Sequence, residues 1–115
     1  MNTSALDAVD RALGEGGDAD DVLRAVVDRV VTHGGAAWAG ILFVENGELV
    51  LGPEAGEQRP SERIHVPVVY DAERVAELVA DGSDDRAFLE HVAVLISPYC
   101  LVGWDTGGVP WDPDA

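Results

Sequence analysis

Lysine is absent from this chain, and seven arginines face twenty-two acidic residues for a formal charge of −15. A field of that sign repels nucleic-acid phosphates and anionic lipid, which excludes both as partners; so much acid reads first as a solvated surface, with a basic-faced protein partner left open as the alternative. Cysteine is almost absent too. Cys100 stands alone, so no internal disulfide forms, and the beginning MNTSALDAVD has neither the basic stretch nor the apolar run of a signal peptide. The expected compartment is the cytoplasm. Charges interrupt every hydrophobic run before the roughly 18 residues of a spanning helix are reached.

What is present is 47% hydrophobic side chain in 115 residues, enough for one domain with one core. Thr3 or Ser4 is placed to cap a short, peripheral helix carrying Leu6, Val9 and Leu13, which the glycines at 14, 16 and 17 end. Asp18 or Asp20 opens a second helix, where Val22, Leu23, Val26, Val27, Val30 and Val31 form a wide stripe that needs a sheet to cover it. The stretch AWAGILFVENGELVLG then reads as a hairpin turning at Asn46-Gly47, with a first strand apolar on both faces and therefore central. Its return strand is predicted over Glu48 to Leu51, and residues 53–62 as loop. Ile64 to Tyr70 predicts an edge strand because Pro67 has no N–H for a ladder. Asp71-Ala72-Glu73 turns the chain into a fourth strand, Arg74 to Val79. Ser83 or Asp84 caps a last helix bearing Phe88, Leu89, Val92, Ala93, Leu95 and Ile96, stopped by Pro98, with a bent extra turn over Tyr99 to Val102.

Chemistry-bearing groupings are sparse. His33, His65 and His91 have no metal-ligand spacing, so no metal site and no cofactor are expected. Asp20-Asp21 and Asp84-Asp85 are explained as helix-opening charges. Asp105-Thr106-Gly107 matches the triplet of aspartic proteases but follows a helix ten residues from the last position, where a turn is the simpler account. Cys100 has no sequence neighbour that would lower its pKa, and a buried inert thiol is expected. Trp104 and Trp111, in a glycine- and proline-broken tail, are candidate interaction residues, covering either the chain's own sheet or a partner.

The order helix, helix, hairpin, hairpin, helix, with Trp38-Ala39-Gly40-Ile41-Leu42, then Glu48-Leu49-Val50-Leu51-Gly52-Pro53, Gly56 and Arg63-Ile64, resembles a GAF domain. Among GAF proteins these motifs look most like those of the free methionine-(R)-sulfoxide reductases. The later stretch Ile64-His65-Val66-Pro67-Val68, and Arg74 through Asp81, is similar to that family's closing hairpin. The resemblance spans roughly residues 20–97. It implies a small-molecule sensory or pairing module, often a homodimer through its terminal helices. The long excursion that roofs the ligand cavity between the family's two hairpins is replaced here by about ten loop residues. The reductases' cysteines have no counterpart there, so no catalytic residue is carried over.

The expected fold is therefore α+β: a GAF-like antiparallel sheet of about four strands with terminal helices on one face. It divides into a peripheral segment (1–17), a core (18–97) and an irregular tail (98–115). If a ligand cavity for a small apolar or aromatic molecule survives, Trp38, Gly40, Leu42, Val50, His65 and Pro67 should line it. Should the first three face the helices, Ala39, Ile41 and Phe43 take their place. The leading function is non-catalytic, small-molecule sensing or protein interaction. The alternatives are a sulfoxide reductase working through Cys100 with an external thiol, and an assembly module without ligand.

Overall fold

The computed structural model describes residues 3–45, 47–102 and 109–110. Helices α1 (Thr3–Gly14) and α2 (Ala19–Thr32) lead into strands β1 (Trp38–Glu45) and β2 (Glu48–Gly56). A 3-10 turn, Pro60–Glu62, precedes strands β3 (Arg63–Tyr70) and β4 (Glu73–Asp81), then helix α3 (Arg86–Ile96), a 3-10 helix Ser97–Val102, and a two-residue strand β5 (Val109–Pro110). The sheet runs β3-β4-β1-β2-β5, antiparallel throughout. β1 is central, as its two apolar faces predict, and β3 with Pro67 is an edge.

The α+β expectation holds: all three helices contribute to one core with Ala39, Ile41, Phe43, Val66, Val68, Ala76, Leu78 and Ala80 of the sheet. The stripe of α2 is consumed there, since Val22, Leu23, Val26, Val27 and Val30 are all buried. Asp18 opens this helix, its carboxylate accepting the Asp21 N–H at 3.0 Å, which satisfies one of the donors a helix start leaves over. Helix α1, expected to be peripheral, packs on α2 and buries Ala5, Ala8, Val9 and Ala12 instead of sitting on its leucines. Small alanines let two helices approach closely. Thr3 and Ser4 lie inside its first turn.

Three boundaries differ from the sequence reading, each for a local reason. β2 does not stop at Gly52-Pro53 but continues to Gly56. Gly40 pairs with Glu54 and Leu42 with Leu51, so Gly52 and Pro53 together oppose Ile41. That bulge accommodates a proline without breaking the strand. β4 extends to Asp81, with Val75 as the extra residue of a second irregularity between the Val68–Ala76 and Val69–Arg74 pairs. α3 is capped by Asp85, whose carboxylate accepts the Phe88 N–H at 3.2 Å, not by Ser83 or Asp84. In the first hairpin Glu45 pairs with Glu48 and Gly47 has φ of 80°, the geometry of a two-residue turn; Asn46 lies outside the described residues.

Candidate functional site

The second face of the sheet, away from the helices, carries three ranks of side chains set by strand register. The first rank is Arg63, Asp81 and Trp38; the second is His65, Val79, Gly40 and Glu54; the third is Pro67, Glu77, Leu42 and Leu51. Five of the six residues expected at a cavity, Trp38, Gly40, Leu42, His65 and Pro67, thus share this face. Val50 does not. The two-residue turn sets it opposite Phe43, on the helix side, while Leu49 and Leu51 pack beside Trp38, Leu42 and Val79. A one-residue difference in register moves a side chain to the other face. Since Trp38, Gly40 and Leu42 are turned from the helices, Ala39, Ile41 and Phe43 stay in the core.

Trp38 is fully buried, and its indole occupies the space beside Gly40: a Cβ on Gly40 would come within 2.8 Å of the ring. Only glycine accepts so close a neighbour. The indole N–H donates to Glu54 Oε1 at 3.1 Å. The Arg63 guanidinium lies over the ring, 4.8 Å from its centroid, in cation–π contact. The same guanidinium grips Asp81 with two hydrogen bonds, Nε to Oδ1 at 2.7 Å and Nη2 to Oδ2 at 2.8 Å. Asp81 also accepts the Arg59 N–H at 2.6 Å, and Arg63 Nη2 donates to Gln58 Oε1 at 3.0 Å. The carboxylate therefore fastens the short connection between the hairpins to the sheet.

Both partners are well buried, the Asp81 side chain fully and Arg63 to 8% exposure. Burial alone would raise the Asp81 carboxyl, but the Arg63 hydrogen bond, the Arg59 N–H and the charges of Arg63 and His65 outweigh it and hold the pKa below its ordinary value. The bond to Asp81 raises Arg63 in turn, against the burial that lowers it. Neither residue was singled out as a site by sequence alone, although Arg63 appears in the hairpin motif and Asp81 ends its strand. Their meeting depends on the pairing register of β3 with β4. In the third rank Glu77 receives His65 Nδ1 at 3.1 Å and Arg74 Nη1 at 3.4 Å.

Every buried side-chain nitrogen and oxygen among the described residues has a hydrogen-bond partner, and no group of three His, Cys, Asp or Glu there is arranged to hold a metal. The second face is thus matched internally, aromatic against glycine and acid against base. Cys100 is remote from it, packed into the helix-side core at 3% exposure, and burial pushes its thiol up to about 12. Arg74 and Leu101 line a surface groove with it. His33 ends α2 as an exposed C-cap. Trp104, Trp111 and the Asp105-Thr106-Gly107 triplet lie outside the described residues. No described helix is long and apolar enough to cross a membrane.

This sheet, with helices on one side and hairpins joined through β1 and β4, is the GAF-like fold. The GAF domain of an Acinetobacter phosphoenolpyruvate-protein phosphotransferase superposes with a TM-score of 0.67 at 14% identity, over 87% of this chain and 94% of that one. The type II free methionine-R-sulfoxide reductase of Thermoplasma acidophilum gives 0.66 at 21% identity, over 75% and 94%. The free methionine-R-sulfoxide reductase of Neisseria meningitidis, solved with its substrate, gives 0.66 at 15%, over 84% and 87%. No protein-family model matches the sequence, and the curated proteins contain no match either. The neighbours include regulatory domains and enzymes alike, so the fold is common to both and the activity must be argued from this chain's own residues.

Proposed function

We propose that this chain is a non-catalytic GAF-like domain that works by binding another protein rather than by turning over a substrate or holding a small molecule on its sheet. The observation that supports this reading is the packing of the described residues at one corner of the second face: Trp38 rests on Gly40 and the Arg63–Asp81 pair lies against it, taking up space a sensor would leave for its ligand. The thiol supports it too. A sulfoxide-reducing thiolate must ionise near neutral pH and reach its substrate, and Cys100 meets neither requirement. An unpaired thiol suits the reducing cytoplasm.

The test combines turnover and mass. Purified protein offered free methionine sulfoxide and dithiothreitol should show no reduction above background, and Cys100→Ser should behave as wild type. Under native conditions Cys100 should react with a thiol reagent only on unfolding, and native mass spectrometry should show no retained small molecule. Sulfoxide turnover lost in Cys100→Ser would overturn the reading in favour of an enzyme, and a retained metabolite would overturn it in favour of a sensor.

A further inference from the structure

All six positions that β1 and β4 place on the second face, Trp38, Gly40, Leu42, Glu77, Val79 and Asp81, are buried, although the described helices pack on the opposite face. The first two ranks have visible cover. The Trp38 indole lies beside Gly40, Arg63 lies over the indole, and the Arg59 N–H ties the connection between the hairpins to Asp81. The third rank is nearer the Gly47 turn. Its Glu77 is engaged by His65 and Arg74. Its Leu42 has Leu49 and Leu51 packed on the β2 side and no described helix above it, yet it is fully buried, and both of those leucines are half-buried. A sheet face turned to water leaves leucines of this kind wet.

The pairing of β5 says what reaches the face from that side. Val109 pairs with Leu51 and Pro110 with Val50, antiparallel, so the same ladder carried one residue further sets position 111 opposite Leu49. Opposed residues of a ladder share a face, and Leu49 and Leu51 belong to the second one. Position 111 is tryptophan. Directly opposed Cβ atoms are about 5 Å apart and diagonal ones about 7–8 Å, both within an aromatic ring's reach. β1 lies one strand further in, about 10 Å from β5, so an indole laid inward across Leu49 and Leu51 ends on Leu42. Held one residue beyond a paired strand, this ring meets the face at the high effective concentration of an intramolecular contact, against which a separate protein or a second copy competes from dilute solution.

We propose that Trp111, positioned by the β5–β2 pairing, docks on the second face over Leu49, Leu51 and Leu42 and closes the part of it that the Trp38–Arg63 corner leaves open. This goes beyond the protein-binding reading above: the second face becomes an interior sealed by the chain's own segment, and a partner protein meets the remaining surface. Nuclear Overhauser spectra of the full chain labelled with carbon-13 should connect the Trp111 ring protons with the methyl groups of Leu42, Leu49 and Leu51. Trp111→Ala should abolish the upfield ring-current shifts of the Leu49 and Leu51 methyls and lower Tm by several degrees. Trp111→Phe should keep part of both, and Trp104→Ala should leave these leucines unmoved.

Leucine methyls indifferent to Trp111→Ala, with no contact to its ring in the parent chain, would overturn the proposal. The same losses produced by Trp104→Ala instead would overturn it in favour of the other tryptophan. In a mixture of labelled and unlabelled protein, ring-to-methyl contacts that cross between molecules would overturn the self-docking and make a second copy the occupant. None of these outcomes bears on the non-catalytic reading, whose failure is seen separately as sulfoxide turnover or a retained metabolite.

Discussion

Asp81 and Arg63 show how single residues bind this molecule together. The pair joins the end of β4 to the start of β3, and through Arg59 and Gln58 it also fixes the connection between the hairpins. Leaving one member of a buried pair without the other costs about 3 kcal/mol, at the lower end of such losses because Gln58 still engages the guanidinium. Asp81→Asn should therefore lower unfolding free energy by about that amount in urea titration. The acid side follows by linkage. The folded carboxyl titrates below its unfolded value of about 3.9, so its stabilisation is complete above that pH and is lost as pH falls through the folded value. Asp81→Asn should lack this part of the acid destabilisation, measured by melts across the range. Sequence exposed one half of the face, Trp38, Gly40 and Leu42, through alternation along a single strand. It did not disclose the ion pair across it, because residues 18 apart meet only once the β3–β4 register, with its irregularity after Val68, is known.

At the scale of elements, the two hairpin turns contrast. The first has glycine where positive φ is required, Gly47 at 80°. The second places Asp71 and Ala72 at φ of 53° and 67°, a left-handed conformation that side chains with a Cβ adopt at a cost of about 1 kcal/mol or more each. Replacing Asp71-Ala72 by Asn-Gly should stabilise the protein by about 1 kcal/mol, read as a rise of a few degrees in Tm. Element types and order were legible because long apolar periodicities and the Asn46-Gly47 signal are local. The end of β2 was not. Gly52-Pro53 reads as a stop until Ile41 is seen opposite both residues, since a bulge is a property of the pair of strands and not of either sequence.

For the whole molecule the balance of charge sets the dominant long-range term. Fifteen net negative charges on 115 residues repel one another more in the compact state than in the expanded one. Sodium chloride raised from low to moderate concentration should therefore raise Tm, with most of the gain complete once the Debye length falls to about 10 Å. A flat or falling Tm would mean that local pairs outweigh the general repulsion. The same scale separates fold from activity. The helix-backed sheet places this chain beside regulatory domains and reductases equally, and within this chain the short connection between hairpins leads into Arg63, whose guanidinium lies over the indole.

The indole resting on Gly40 has one more consequence, for what could be put in its place. A tryptophan with no side chain beneath it and a cation above it occupies a mould of its own shape. Trp38→Gly would leave a hollow the size of a small bicyclic ring, edged by Leu51 and Leu42 with Arg63 above and Glu54 at the indole nitrogen's place, and a hollow of that shape takes up a matching guest from solution. Free indole added to the variant should restore part of the lost Tm in proportion to its concentration, while leaving the parent unchanged. The chain would then have become a receptor by subtraction.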